Sequence, residues 1–401
     1  MADQPTAADL LTRPTSSIVR NANLEDLVKV LNDEHARKID VIVNDSNLRA
    51  ADGELVLQGD IPPMVIPERW TNDGYFPAQE YEIPGVYRPT AVCDRKIAQK
   101  LGIPGDYLRR CRERNPGLWD DNVNGWLQGS EERYYMRLLA PGSDGGTGIA
   151  RAMLSKWYGR VDHLDMLFAT LDGIRESGAE VTITSCNVTE TRMYVVVECP
   201  AVQVLAPALL DGYTSPYNGA KGSDNPLVHA GFVITNSETG DGRGAIVPRI
   251  VAQVCSNGAT IEKEAYARTH VGSELPEGPI QWSKETEHAL VNMIKLQARD
   301  AVRGFLSTDF LEAQVAALSA KSGHKIGKDP EEAVKIVAKT LKYDEDSRRD
   351  ILRHFIKSDQ MTAGGMMQAV TAAAQADTRD PDTAYRMEAD VFKVLDVAAR
   401  L

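Results

Sequence analysis

Arg151, Lys156 and Arg160 set three cations around the adjacent rings of Trp157 and Tyr158 in the segment ARAMLSKWYGRVDHLD. Cations beside aromatic faces suit single-stranded nucleic acid, where phosphates meet the charge and bases stack on the rings. The competing reading makes the rings core anchors, with the cations reaching out along their aliphatic stems. Arg137, in the strand-like run RYYMRLLAP, adds a further cation upstream. A second basic element is RKIAQKLGIPGDYLRRC, which has the Ala98–Gly102 spacing of a helix-turn-helix. Its second helix carries Arg109, Arg110, Arg112 and Arg114, which could meet phosphates. Any tight helical hairpin shows the same spacing, and Pro104 fits the turn poorly, so a purely structural hairpin is the alternative. Residues 86–160 hold 13 basic and 8 acidic residues, net +5, inside a chain of net charge −12. Such a chain must concentrate its cations to hold nucleic acid.

Other candidate chemistry is weak. Asp162, His163 and Asp165 are too close along a helix to converge, and Asp162 reads as a helix cap. GSDGGTG (residues 142–148) lacks the Gly-Lys-Ser/Thr of a phosphate loop. The run Asn236 to Gly242 lacks the spacing of a calcium loop and reads as a hairpin turn. Cys93, Cys111, Cys186, Cys199 and Cys255 are scattered, with no zinc spacing and no disulfide framework. The expectation is a protein with no catalytic residues, no metal and no cofactor.

These residues need elements to hold them. Asn23 caps a helix over LEDLVKVLNDEHARK, and the strand-like runs IDVIV, NLRAA and ELVLQG follow. Helices are expected over AVCDRKIAQKLGI, DYLRRCRERN, the Trp119–Leu127 region, ARAMLSKWY and VDHLDMLFATLDGIRES. AEVTITSCNVTETRMYVVVECP reads as a hairpin, and Gly231 to Gly258 as a second, turning at Ser237 to Gly244. From Trp282 the pattern is helical, with a kink at Gly304 and breaks at Asp329-Pro330, Asp344 to Asp346, Gly364-Gly365 and Asp380-Pro381. The fold class is α+β: a central antiparallel sheet of β-hairpins flanked by helices, with a helical C-terminal region. The expected units are a small N-terminal unit (1–85), a central domain (86–282) and the helical region (283–401). No run is long and apolar enough for a membrane span, and no secretory signal is evident.

The segment Arg151 to Asp162, the turn Asn236 to Gly240 and the end Cys255 to Gly258 together resemble the phage- and plasmid-type proteins of domain-of-unknown-function family 932. LGIPGDYL and MQAVTAAAQ agree with that resemblance, which covers roughly residues 90–375. Lys156-Trp157 departs from the family's usual acidic-basic pair. The resemblance implies a bacteriophage or other mobile-element protein in the bacterial host cytoplasm, and it carries over no catalytic residue. The order of hairpin, hairpin and long helix is similar to the core of single-strand annealing proteins. The expected function is nucleic-acid binding in DNA replication or recombination, with single-stranded DNA favoured and a homo-oligomer as a possible state. The contact residues expected are Arg137, Arg151, Lys156, Trp157, Tyr158, Arg160, Arg109 and Arg110. The alternative is a non-enzymatic phage protein that binds a host or phage protein through its helical tail.

Overall fold

The computed structural model describes residues 18–401 apart from 67–68, 72–73, 77, 142–145, 216–218, 254–257, 269–276, 281 and 377–378. The N-terminal segment read as loose, most of the GSDGGTG loop and Cys255 lie outside the described residues.

Two seven-stranded sheets form the framework. In chain order the strands are β1 (Val19–Ala22), β2 (Lys38–Asn44), β3 (Leu48–Ala51), β4 (Glu54–Leu57), β5 (Met64–Ile66), β6 (Arg69–Thr71), β7 (Gly74–Phe76), β8 (Gln79–Tyr81) and β9 (Gly85–Pro89). Then follow β10 (Arg133–Leu139), β11 (Gly148–Ser155), β12 (Thr182–Val188), β13 (Met193–Leu205), β14 (Leu227–Asn236), β15 (Gly244–Ala252), β16 (Gly258–Thr260), β17 (Tyr266–Arg268) and β18 (Gly278–Pro279). The first sheet runs β1-β12-β13-β14-β15-β16, with β17 also on β15, and every pairing in it is antiparallel. It contains both hairpins expected from the sequence. The second runs β18-β2-β10-β11-β9-β4-β3 and includes one parallel pair, β11 with β9. Strand β2, from the segment read as an N-terminal unit, lies between β18 and β10.

The helices used below are α1 (Leu24–Arg37), α2 (Ala91–Leu101), α3 (Gly105–Arg114), α4 (Pro116–Leu127), α5 (His163–Ser177), α6 (Pro207–Leu210) and α7 (Lys284–Phe305). The C-terminal set is α8 (Thr308–Ser322), α9 (Pro330–Leu341), α10 (Glu345–Ser358), α11 (Ala363–Ala374), α12 (Pro381–Ala389) and α13 (Val391–Ala398). Caps start many of them. Asn23, Thr90, Ser283, Ser307, Asp329, Asp344 and Asp380 each accept a first-turn N–H through the side chain, at about 1 kcal/mol apiece. The expected kink at Gly304 is a full break two residues later, because Ser307 caps a new helix. Gly364 and Gly365 lie inside the first turn of α11 instead of before it.

Alternation assigns the strand faces. Ile39, Val41 and Val43 of β2 and Met136 and Leu138 of β10 point to one side of the second sheet, where they pack with Ile97, Leu108, Trp119 and Val123 of α2–α4. Val195, Val197, Phe232, Ile234 and Ile246 of the first sheet pack with Leu27, Leu31, Leu167, Ala298 and Val302 of α1, α5 and α7. Toward the other end of β14, Val228 and Ala230 join the C-terminal helices through Leu311 and Leu318. Each fully buried large aliphatic contributes about 1.5–3 kcal/mol. One segment departs from its sequence reading: ARAMLSKWY is strand β11 and a turn, not a helix. Its hydrophobic spacing fits either period, and pairing with β10 along its length decides for strand.

Candidate nucleic-acid interface

The face of the second sheet opposite its apolar core carries charge. Lys38 and Asp40 of β2, Arg137 of β10 and Arg151 of β11 all point that way and are buried. Arg137 is directly opposite Asp40 in the ladder. Its Nε donates to Asp40 Oδ1 at 2.9 Å, and its Nη2 to Asp162 Oδ1 at 2.5 Å. Lys38 pairs with the same Asp162. Asp162 does stand at the N-cap position of α5, as expected, but its side chain makes no capping bond. Its carboxylate is committed to the sheet cations. Glu238 supplies the cap from across the molecule: its Oε1 accepts the His163 backbone N–H at 2.6 Å. Its Oε2 accepts Arg151 Nη1 at 2.6 Å, and its backbone oxygen accepts Arg137 Nη1 at 3.2 Å.

Glu238 reaches this point because the β14–β15 turn is interior. Asn236, Ser237, Glu238 and Thr239 are all buried. Asn236 Nδ2 donates to Val161 O at 3.0 Å and lies 3.1 Å from His163 Nδ1. With the amide nitrogen turned to it, Nδ1 accepts, the role open to a neutral imidazole. Tyr158 Oη donates to Ser237 O, and Lys96 Nζ to Gly240 O. Gly240 has φ +77°, a left-handed conformation that favours glycine, and a Cβ there would sit 2.8 Å from Leu154 Cδ2.

Electrostatics follow from burial and partners. Burial alone would lower the Arg137 pKa, but Asp40 and its neighbours outweigh it and drive it up. Burial would raise Asp162, and Lys38, Arg137 and Arg160 reverse this, holding it well below the usual carboxylate range. Glu238 is likewise held down: burial opposes, and His163, Arg137 and Arg151 prevail. Burial pulls His163 down to about 4. Burial, then Asp162, pushes Asp165 up to about 6.

The expected contact residues therefore divide. Arg137 and Arg151 are spent on interior carboxylates and present no surface to a phosphate. Arg160 is 12 % exposed at its side chain and bonds Glu287 Oε1 at 2.8 Å. Tyr158 is held by the turn. Lys156 Nζ lies 5.8 Å from the Trp157 ring, and Trp157 is exposed. Arg109 and Arg110 stand exposed on α3. The structure joins the interior set into one network but does not join Arg109 and Arg110 to it. Glu34 was missed by sequence reasoning. It falls on the stripe of Leu27 and Leu31 in α1, is buried, and lies 3.8 Å from Arg151 Nη2. A carboxylate on an apolar stripe was the available signal.

The second group of cations surrounds the α2–α3 hairpin. Gly102, at φ +68°, ends α2, and Ile97, Leu101, Ile103 and Leu108 are buried beneath the turn. On the outer side, Tyr107, Arg110 and Arg114 follow at three- and four-residue spacing on α3. Leu118 and Trp126 are exposed on the adjoining α4, Trp126 at 61 %. Below this face, Arg88, Arg95, Arg109 and Arg112 line a cleft of about 510 Å³.

Among the described residues no group of three or more His, Cys, Asp or Glu side chains is arranged to hold a metal ion. Burial raises the Cys93 and Cys186 thiols, which makes them poor nucleophiles. No described helix is long and apolar enough to cross a membrane. No family model, no curated protein and no solved structure matches the chain.

Proposed function

We propose that this is a non-enzymatic protein that binds single-stranded DNA in mobile-element replication or recombination, in the bacterial host cytoplasm. The family-932 resemblance suggests that setting. One observation carries the binding reading: Arg109, Arg110 and Arg114 stand on one exposed helix beside Tyr107, next to the outward Trp126 of α4. Among the described residues neither Arg110 nor Arg114 has a carboxylate partner. Arginines track the phosphates and the exposed rings offer stacking surfaces. The contact surface moves from Arg137 and Arg151 to this hairpin, with the exposed Trp157 and the half-buried Lys156 beside it as a further pair.

A mobility shift with labelled single strands at low salt tests the reading. Binding should fall steeply with salt, and Arg110→Ala and Arg114→Ala should each lower the logarithmic salt slope by about 1. Trp126→Ala should weaken binding by about 1–3 kcal/mol. No shift at micromolar protein, or variants that bind like the parent, would overturn it.

A further inference from the structure

The cleft beneath the α2–α3 hairpin has features that a flat phosphate-tracking surface does not need. Its volume of about 510 Å³ falls in the range of small-molecule sites, about 300–1,000 Å³. It opens at the N-terminal end of α3. Pro104 stands at that N-cap and offers no side-chain acceptor, and the first N–H to reach a backbone carbonyl is that of Leu108, on Pro104 O at 3.0 Å. The first-turn N–H groups of α3 thus point outward without an acceptor among the described residues, in the arrangement that receives phosphate. Among the described residues Arg109 is paired only with Asp106, whose side chain is 97 % exposed, so little holds it away from the cleft. Arg112 is fixed in the wall by Gly53 O and Pro89 O, and Arg88 and Arg95 complete the lining while paired outside it, with Glu54 at 3.3 Å and Asp241 at 2.9 Å.

The lining is not simply basic. Its four arginines are matched by four carboxylates, among them Asp94 and Glu190. Asp94 is 6 % exposed. Its Oδ1 accepts the Trp119 indole N–H at 2.9 Å, and its other oxygen has no hydrogen bond among the described residues. A bare anion is poorly served by such a wall. A ligand that carries an anion at one end and N–H donors at the other uses both signs.

We propose that this cleft binds a mononucleotide unit, a phosphate monoester joined to an amino-bearing base, either free or at the end of a strand. Arg109 and the α3 N-terminus take the phosphate; Asp94 and Glu190 accept from the base. The inference deepens the nucleic-acid reading and rests on it for the strand-end form.

The test is calorimetric titration of the full chain with dCMP, deoxycytidine and inorganic phosphate. Mobility shifts with 5′-phosphorylated and 5′-hydroxyl oligonucleotides run beside it. The expected result is that dCMP binds at least about tenfold more tightly than either fragment. Arg109→Ala and Asp94→Asn should each raise its Kd by roughly tenfold, with an unchanged thermal midpoint for the exposed Arg109. A preference for the phosphorylated end identifies the strand as the source; dCMP binding without that preference identifies the free nucleotide. Phosphate that binds as tightly as dCMP, or no heat with any of the three while single strands still shift, overturns the cleft and leaves the surface reading standing. dCMP binding without any strand shift overturns the surface reading and keeps the cleft.

Discussion

Removing the Glu238 carboxylate should be the most damaging single change at the junction of the two sheets. Glu238 accepts two short charge-assisted bonds, from Arg151 Nη1 and the His163 N–H, both at 2.6 Å. Each such bond contributes about 1.5–3 kcal/mol. In Glu238→Ala, Arg151 keeps, among the described residues, only the Glu34 carboxylate at 3.8 Å, and a buried guanidinium loses its close partner. Breaking a buried pair from one side costs about 3–5 kcal/mol, and that is the loss expected. Glu238→Gln keeps an acceptor for the His163 N–H and should cost about half as much. The double variant Arg151→Met, Glu238→Leu removes both charges and should recover most of the loss, since apolar replacements of buried pairs are often neutral. Equilibrium urea unfolding measures all of these, with fluorescence and circular dichroism transitions required to coincide. A Glu238→Ala loss below about 1 kcal/mol would refute the reasoning. So would strictly additive effects of Glu238→Ala and Arg151→Ala, because contacting residues in one network should couple by about 0.5–3 kcal/mol.

Three further outcomes are expected. Burial pulls His163 down to about 4 in the folded chain, against about 6.5 unfolded, so the unfolded state takes up the extra proton between those values. Its contribution is complete above pH 6.5 and falls by about 3 kcal/mol as pH drops through 4; an identical pH dependence in His163→Asn would count against it. Burial and then Asp162 push Asp165 up to about 6, so the folded state holds the proton more tightly, and stability is lost as pH rises from about 4 through 6. Asp165→Asn should raise the thermal midpoint at pH 8 and leave it unchanged at pH 3.5; equal effects at both would reject the assignment. At the α5–α7 contact a Cβ on Gly173 would lie 2.5 Å from Lys295 O and 2.8 Å from Arg299 N. Gly173→Val should therefore destabilise by about 1–3 kcal/mol or more, read from urea midpoints.

Local chemistry was legible in the sequence and coverage was not. The pairs Asp329-Pro330 and Asp380-Pro381 read as breaks between helices, and each opens a new helix because the cap and the fixed proline φ act within one turn. The two β-hairpins of the first sheet were legible for the same reason, their turns being local. Arg137 is the contrary case. It reads as a cation in a strand-like run; alternation with Met136 and Leu138 puts it on the non-core face of β10, which a single strand presents as the water side. That face is covered by α5 and by the β14–β15 turn, segments 25 to 101 residues away in the chain, and no local pattern reports them. Arg151 was further obscured by a segment whose spacing fits helix and strand alike. Arg109 and Arg110 were easier to place, because α3 buries Leu108, Cys111 and Arg112 and leaves the rest of its surface to solvent.

The interior turn between β14 and β15 also acts as an error check on assembly. Strand register changes in steps of one residue, and each step sends every side chain to the other face. A slipped β14–β15 pair would turn Glu238 away from Arg151 and leave both charges buried alone, while Gly240 would give up its fitted place beside Leu154. The same slip would turn the buried Arg249 of β15 away from Glu388 and Glu198. The penalty for mispairing is therefore carried by buried charges at two points, Arg249 within β15 and Glu238 at the tip, where the correct register is the one in which the two halves of the molecule can close.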